Sequence, residues 1–476
     1  MSARLPLLHK TPFVLDERPL YEATSPHAGL LSVSRVYRAL GMPALVGANL
    51  ALRKRQRGFA EAQFIESISL LQTVGGECPE DMHLLAGDDC LARGLGYGPP
   101  KATAVREFLE RFHDQKLETL RPKREVQKSF IFPSSQPVSA LQAVLSGQVR
   151  RIARLYEKQG QPQRIATVDQ DATIIESHKQ QALPTYEGTR GYQPMLAAWA
   201  ETGLVLADQF RDGNVPAQME PREVAQRAFA ALPGTVGEYY YRGDAACHES
   251  GLVNGLRDEQ RAGGPRGRIG FAISARMSEP LHTAIGVVPE SAWQPYGDPH
   301  PAEIRECADV PFVPGEKTEK KDVPPLRYVA VRIRKKQDGL FDDGSALRHF
   351  AVLSNRWELK PARLIEWHRE KAGTIELVHD VIKNDLGGGV LPSKYFGANA
   401  AWLRLAVIAH NVLVALKRLA LPPELLTARP KRLRFLLFNM PGRLVHHARR
   451  LILRVAAVGK WTAAYGQGLR LLPVSP

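Results

Sequence analysis

The segment from residue 160 to 258 restricts the fold more than any other feature of this chain. A short apolar run, "RIATVD", is followed by "GYQPMLAAWAETGLVLADQFRDGN", which has the pattern of two paired strands. "PREVAQRAFAAL" then has helical spacing and begins at Pro221, and "GEYYYRGD" is a further strand. Strands and helices in this order predict an α/β fold, with a mixed sheet covered by helices.

Carboxylates stand where the predicted strands end. An apolar strand that begins at Ile165 runs into Asp169 and Asp171, and the strand period of two places both on one face. Asp244 ends a later strand, the usual position for site residues in open sheets. Two carboxylates on one face repel unless one is protonated or a cation lies between them, so the pair indicates a magnesium-type site. The alternative is that one aspartate caps a turn and the other is solvated.

The chain is strongly basic. It has 64 Lys and Arg against 49 Asp and Glu, a net charge of +15, and a pI of about 9.7. This balance predicts a polyanionic partner, with nucleic acid as the first candidate and an anionic membrane surface as the second. Residues 425–476 contain no Asp or Glu and interleave basic with apolar residues, which we interpret as an amphipathic helical region that contacts a polyanion. The alternative is a solvated tail.

Length and cysteine usage set further limits. A chain of 476 residues predicts about two to four units at roughly 100 to 200 residues per domain. Four cysteines without C-x-x-C spacing are interpreted as reduced and structural, as in a cytosolic protein. The N-terminus lacks a long apolar stretch, and the most apolar later segment is interrupted by Arg404, His410 and Asn411. Neither secretion nor membrane spanning is therefore indicated.

Residues 1–158 are predicted to form a helical DNA-binding or arm domain. Apolar positions recur at helical spacing over residues 37–75, and further helices are predicted from about Lys101 and over Pro137–Lys158. The first of these stretches surrounds a basic cluster made of Arg53, Lys54, Arg55 and Arg57. The competing interpretation is a helical bundle with a basic face.

The remaining chain divides by composition. Residues 159–260 hold the first part of the sheet, and residues 261–355 are predicted to be a β-rich insertion with strands "RIGFAISA", "RYVAVRIRK" and "LRHFAVLS". Residues 356–424 continue with a long helical pattern and a following helix, before the basic tail at 425–476. Glu376 and Lys383 lie two turns apart on nearly the same face of the long pattern. A solvated helix face is the alternative for that pair.

Taken alone, "VDQDAT" resembles the nucleophile strand of haloacid-dehalogenase-like phosphatases, which carries D-x-D-x-T. That resemblance implies that Asp169 attacks phosphorus, that Asp171 is the acid and base, and that magnesium neutralises the phosphate. "YYYRGDAACHE" is similar to a later acidic motif of that family, but His248 stands where a carboxylate is expected. The phosphatase hypothesis also leaves the basic tail and Glu376 unexplained.

A wider set of motifs resembles the DDE transposases of bacterial insertion sequences, in particular the IS-thirteen-eighty group of the YREK-bearing superfamily. The similarity runs through "VDQDATIIESHKQQALPTYEGTRGYQPM", "FRDGN", "YRGDAACHE" and "HREKAGTIELVHDVIKNDLGGG", over roughly residues 166–402. It implies an RNase H-like mixed sheet with the β-strand insertion before a final acidic helix. It also implies a triad of Asp171, Asp244 and Glu376, with Asp169 as the rival for the first position.

The YREK signature is matched in one half only. Glu376 and Lys383 fit its E-x6-K part, which implies that Lys383 holds a DNA phosphate near the cleavage point. Strict spacing places Arg369 where the tyrosine belongs and Ala372 where the arginine belongs, and a shift of one residue offers His368 and Lys371 instead. We expect phosphate contacts from Lys371 and Arg369 as well.

The resemblance also implies a mechanism and partners. Two Mg²⁺ ions about 3.5 to 4 Å apart, replaceable by Mn²⁺, would be held by the triad for strand cleavage and strand transfer. The expected partners are double-stranded transposon ends and target DNA, bound by a homodimer in the bacterial cytoplasm. A hairpin intermediate would involve a flipped base stacked on an aromatic such as Trp293, for which a core role is the alternative. A non-catalytic DNA-binding relative is the main alternative of another class.

Overall fold

The computed structural model describes residues 24–53, 57–123, 126, 128–311, 326–335, 347–448 and 450–456, together with residues 466, 468 and 470. Within these residues the architecture is mixed α/β, with one nine-stranded mixed sheet, two three-stranded sheets and many helices.

The strands share a pattern of short apolar runs. In chain order they are β1 (Thr24–Ser25), β2 (Ile165–Ala172), β3 (Ile175–Glu176), β4 (Leu183–Pro184), β5 (Arg190–Tyr192), β6 (Met195–Trp199), β7 (Leu204–Gln209), β8 (Glu238–Gly243), β9 (Ile269–Ser274), β10 (Gln294–Pro295), β11 (Glu303–Val310), β12 (Arg327–Lys335), β13 (Leu347–Ser354), β14 (Gly442–His447) and β15 (Arg450–Val455).

Helices precede, separate and follow these strands. In chain order they are α1 (Leu30–Ala39), α2 (Met42–Asn49), α3 (Glu61–Val74), α4 (His83–Ala86), α5 (Asp89–Leu95), α6 (Ala102–Glu110), α7 (Gln115–Glu118), α8 (Gln136–Lys158), α9 (Pro221–Ala231), α10 (Ser250–Arg257), α11 (Glu279–Gly286), α12 (Pro361–Arg369), α13 (Ile375–Asp380), α14 (Phe396–Ala420) and α15 (Pro430–Leu433).

The nine-stranded sheet has the order β10-β11-β12-β13-β9-β8-β2-β6-β7. Strand β2 is parallel to β8, and β8 is parallel to β9, whereas β2–β6, β6–β7 and β13–β9 are antiparallel. Every residue of β6 and β7 is buried, since α9 packs on both strands and α8 and α14 pack on β7. The predicted mixed sheet covered by helices is confirmed, as are the strands and the helix expected over this segment.

The strands expected between residues 261 and 355 also form. Strands β10 to β13 extend the sheet outward from β9, each antiparallel to its neighbour. Strand β9 itself pairs in parallel with β8. The β-rich segment is therefore continuous with the central sheet, and its domain boundaries stay a prediction.

Helix α14 is the centre of the molecule. It is long and apolar enough to cross a membrane by composition, yet its most apolar 18-residue window is 100% buried inside the protein. Its polar residues close the edge of the sheet: the Asn411 side-chain amide exchanges two hydrogen bonds of 2.9 Å with the backbone of Val205. Arg404 forms a buried bidentate pair with Asp208, at 2.7 and 3.0 Å. These contacts protect β7, an edge strand, from further pairing.

The N-terminal helices pack directly on this centre. Helices α1, α3, α6 and α8 contact α14, and their apolar residues belong to the same core cluster as the sheet. The helix expected from Lys101 begins at Ala102. The Ser135 hydroxyl caps α8 by accepting the Val138 amide at 3.3 Å. Both helix predictions are confirmed, and the domain boundary at residue 158 stays a prediction.

Two regions differ from expectation. The long helical pattern is broken into α12, a 3₁₀ turn, α13 and a π-helical turn at Val381–Asp385. The break lies at Gly373 and Thr374. The Thr374 hydroxyl donates to the Asp169 carboxylate and to the Lys371 carbonyl, and such side-chain bonds compete with the helical backbone.

The basic tail is not helical throughout, and the helical expectation is wrong for the two strands within residues 442–455. Pro441 and Gly442 end the preceding helical turn, and β14 and β15 form an antiparallel hairpin that pairs with β1. Strand β15 is a short apolar run, Leu451, Ile452 and Leu453, between Arg450 and Arg454, and a run of that length does not separate strand from helix.

Candidate active site

The candidate site lies at the C-terminal edge of two neighbouring parallel strands. In the β2–β8 register Asp169 is opposite Arg242, and Gln170 is opposite Gly243. The next residues, Asp171 and Asp244, therefore leave the sheet side by side. Strand β2 continues through Asp169 and Asp171, so both lie on one face, as their spacing predicts.

Asp169 is fully buried and fully engaged. Its two carboxylate oxygens accept hydrogen bonds from the Arg242 guanidinium, at 2.7 and 2.9 Å, and the Thr374 hydroxyl donates to it as well. Arg242 also donates to the Trp367 carbonyl at 2.7 Å and to Glu370 at 3.0 Å. The pair thus ties β2 and β8 to the end of α12. With no exposed oxygen, Asp169 is unsuited to the nucleophilic role that the phosphatase hypothesis requires.

Asp171 is in a different environment. Its side chain is 18% exposed, and Lys371 is its ion-pair partner, with 3.2 Å between Nζ and Oδ2. Asp244 begins a 3₁₀ turn and accepts a hydrogen bond from the Ala246 amide at 3.1 Å. Burial and the nearby charge of Asp171 raise the pKa of Asp244, which Lys371 partly counteracts. Two carboxylates that repel each other in this way form a site suited to a cation.

Lys371 supplies the positive charge beside this pair. It is buried, and although burial lowers its pKa, the carboxylates of Asp171 and Asp244 outweigh that effect and raise it. Its carboxylate partner is a contact that the sequence did not indicate. The expected phosphate contact of Lys371 stays a prediction.

Glu376 lies on α13, the short helix that packs against β2 and β6 at this edge. Its side chain is exposed, whereas His379, one turn further along, is buried. Burial lowers the pKa of His379 to about 4, and the nearby Asp171 charge opposes that effect. Across the described residues no three His, Cys, Asp or Glu side chains cluster closely enough to hold a metal. The structure therefore brings Asp171 and Asp244 together and places Glu376 outside the pair.

Lys383 follows on the π-helical turn, a type of irregularity frequent at functional sites. Its Nζ donates to the Ile174 carbonyl at 2.6 Å and to the Thr173 hydroxyl at 3.4 Å. It thereby fixes the chain just beyond Asp171. An open groove of about 1240 Å³ begins here, which we call the strand-end groove; its walls include Thr173, Ile174, Tyr186, Lys383, Arg429 and Arg432.

The other predicted DNA-binding residues lie elsewhere. Arg369 is exposed and donates to the Tyr296 hydroxyl at 3.1 Å. Arg53 pairs with Glu61 at 2.9 Å, and Arg57 is exposed. Lys54 and Arg55 fall outside the described residues.

Trp293 is 9% exposed, with the Arg332 guanidinium 4.2 Å from its ring centroid. It belongs to the core cluster. This agrees with the core role that was the alternative to base stacking.

The sequence also missed several residues of the site. Arg242 and Thr374 bond to Asp169, and His379 comes within the electrostatic influence of Asp171, only through folding. The sequence did hold one indication for Arg242. It lies two residues before Asp244, and side chains two apart in a strand point to the same face. Arg429 and Arg432 were counted only as part of the tail charge.

Comparisons with known proteins give one family. The model of a family described as Transposase DDE domain group 1 matches residues 22–475. A solved structure of a piggyBac transposase synaptic complex with hairpin DNA is similar over 82% of this chain and 74% of that chain, at 10% identity and a TM-score of 0.40. Among curated proteins, none matches.

Proposed function

The chain belongs to the Transposase DDE domain group 1 family and is thus a DNA transposase, and we propose that it cuts and joins the ends of a bacterial insertion sequence of the IS-thirteen-eighty group. Enzymes of this family are metal-dependent and cut DNA. The observation that carries the proposal is the pair of adjacent carboxylates, Asp171 and Asp244, at the C-terminal edge of parallel strands.

We assign the core an RNase H-like fold on its strand order. Strands β2, β6 and β7 are consecutive antiparallel neighbours, and β8 and β9 add to the other side of β2 in parallel. Helices α9 and α10 connect β7 to β8 and β8 to β9. The acids Asp171 and Asp244 follow the two neighbouring parallel strands β2 and β8 at the same edge of this sheet.

Asp171 takes the first catalytic position in this proposal, and Asp244 takes the second. Asp169 is held between Arg242 and Thr374, so it supports the strand and has no free oxygen for a metal. Divalent ions such as Mg²⁺ would neutralise the charge that develops on the attacking and leaving oxygens of the phosphodiester. The two carboxylates and the raised pKa of Asp244 fit such a cation.

We propose Glu376 as the third acid. It is exposed on a helix whose neighbouring residues, Thr374 and His379, face the acidic strand. A short helix next to a 3₁₀ turn and a π turn can shift by small changes in its ends. Binding of metal and DNA would draw Glu376 toward Asp171 and Asp244.

The basic residues around the site would hold the DNA backbone. Lys383, Arg429 and Arg432 line the strand-end groove, and Lys371 lies at the acids. Affinity for DNA would then fall steeply with salt concentration, because bound phosphates release counterions. Two transposon ends would be joined by a homodimer on DNA in the bacterial cytoplasm.

The test is cleavage of a duplex that carries the inverted repeats found beside this reading frame. We expect the wild-type protein to nick these ends in Mg²⁺ or Mn²⁺, and Asp244→Ala to be slower by at least about 10³-fold. Asp298→Ala, which alters an exposed carboxylate away from the acids, is the matched control and should cut normally. Equal nicking by the wild type and Asp244→Ala would reject the enzyme and leave a DNA-binding relative.

A further inference from the structure

The stretch "TYEGTRGY" has no role in the acidic site, although it lies beside it. Strands β3, β4 and β5 form a small antiparallel sheet in the order β3-β5-β4. Strand β3 begins four residues after Asp171, and its Ile175 pairs with Tyr192 of β5. Tyr186 and Glu187, in the turn between β4 and β5, line the strand-end groove together with Thr173 and Ile174, which follow the acidic strand.

That turn is tightly held. The Thr185 amide donates to the Thr189 carbonyl at 2.8 Å, and the Thr185 hydroxyl bonds to the same carbonyl at 3.2 Å. The Gly188 amide donates to the Thr185 carbonyl at 3.2 Å, with Gly188 at a φ of +82° that favours glycine. Tyr186 thus sits on a turn with a fixed backbone.

The small sheet is itself anchored. Arg190 donates to the carbonyls of Ala182 and Gln180, at 2.6 and 2.7 Å. A Cβ atom at Gly191 would lie 2.2 Å from the Ile175 carbonyl oxygen, so only glycine allows the strands to approach this closely. A rigid support of this kind limits the entropy lost when the turn binds a partner.

Tyr186 itself has little contact with the protein. Its side chain is 76% exposed, and it lines the strand-end groove together with Lys383, Arg429 and Arg432. Partial burial and Glu187 raise its pKa, and the charges of Asp171 and Asp244 raise it further. The hydroxyl is therefore within electrostatic reach of both acids.

We propose that the Tyr186 ring stacks on a nucleobase of the DNA strand that enters the strand-end groove, and so positions that strand for cleavage at Asp171 and Asp244. An exposed aromatic ring on a rigid turn, with basic residues for the phosphates around it, is the arrangement that single strands bind. The inference rests on the proposed function. The stacking surface is the ring, so the hydroxyl is not required.

The experiment compares Tyr186→Ala with Tyr186→Phe. Trp357→Ala is the matched control, because Trp357 is also an exposed aromatic, at 55%, but lies at the other end of the sheet. It is two residues after Asn355, whose carbonyl accepts a hydrogen bond from Arg268, just before the N-terminal end of β9. Transposon-end duplexes would carry 2-aminopurine at single positions around the cleavage point. Fluorescence is measured in Ca²⁺, and single-turnover cleavage in Mg²⁺.

We expect wild type, Tyr186→Phe and Trp357→Ala to quench the probe at one position, and Tyr186→Ala to leave it bright. Loss of one base stack corresponds to about 5- to 150-fold in affinity, and cleavage by Tyr186→Ala should slow within that range. Thermal melting should be unchanged, since the side chain is exposed.

Quenching and cleavage by Tyr186→Ala equal to those of the wild type would overturn the stacking contact, and so would an equal loss in Tyr186→Phe. Failure of every variant, wild type included, to cut would refute the proposed function instead. In that case the stacking contact would be judged only by whether Tyr186→Ala quenches 2-aminopurine less than the wild type does.

Discussion

Asp169 and Asp171 lie two residues apart on strand β2, and each pairs with a basic residue from another element, Arg242 and Lys371 respectively. In the first, the side chains are 0% and 3% exposed and every carboxylate oxygen has a donor. In the second, they are 18% and 11% exposed, and a second carboxylate, Asp244, lies nearby. A saturated pair supports the fold, whereas an unsaturated pair keeps capacity for a ligand. The D-x-D motif by itself does not show which of the two aspartates supports the fold and which can take a ligand.

The largest expected effect separates the two aspartates by activity. Asp171→Asn should slow transposon-end cleavage by at least about 10³-fold, because it removes one member of a catalytic unit. Its unfolding midpoint in urea should stay close to that of the wild type, since the side chain is partly exposed. Single-turnover cleavage and urea titration together check this. Normal cleavage by Asp171→Asn would transfer the first position to Asp169.

The next effect concerns stability. Arg242→Met leaves Asp169 buried without its ion-pair partner and should lower the free energy of unfolding by about 3 to 5 kcal/mol. The double variant Asp169→Leu with Arg242→Met should regain much of that loss, because apolar residues can replace a buried pair. Both are measured by urea unfolding followed by circular dichroism.

Arg363→Met is the matched control for this change, since that arginine is 56% exposed and pairs only at the surface. It should change stability by about 0.5 kcal/mol or less. A loss in Arg242→Met no larger than in the control would mean that the Asp169–Arg242 pair does not support the fold.

The smallest effect concerns metal binding without DNA. The Lys371 ammonium pairs with Asp171 and repels any cation bound there. Because Lys371→Met removes that positive charge, we expect it to bind Mn²⁺ about tenfold more tightly than the wild type. Electron paramagnetic resonance of free Mn²⁺ measures this directly. Lys158→Met, at an exposed helix end, should match the wild type. Equal or weaker Mn²⁺ binding by Lys371→Met would show that the lysine does not compete with the metal.

Much of the fold could be predicted because it depends on local patterns. The strands that carry Asp171 and Asp244 and the helix that begins at Pro221 follow from apolar spacing and from proline at a helix start. The position of two acids at one sheet edge follows from strands that end in carboxylates.

The remaining features depend on pairings that are distant in sequence. The bond of Arg242 with Asp169 requires the β2–β8 register. The break before α13 depends on Thr374 reaching Asp169, which in turn brings Lys371 to Asp171. The hairpin in the tail also pairs with β1, whose two residues are more than 400 positions away in the sequence. None of these contacts leaves a periodic signal.

The pairing of β1 with β14 has a consequence for biosynthesis. His27 and Asn439, whose side chains lie 3.2 Å apart, are separated by 412 residues along the chain. A ribosome adds roughly 5 to 20 residues per second, so the first strand waits tens of seconds for its neighbour to emerge. Until then the early helices lack the last layer that packs against them, and nascent chains would be the form most exposed to chaperones and proteases.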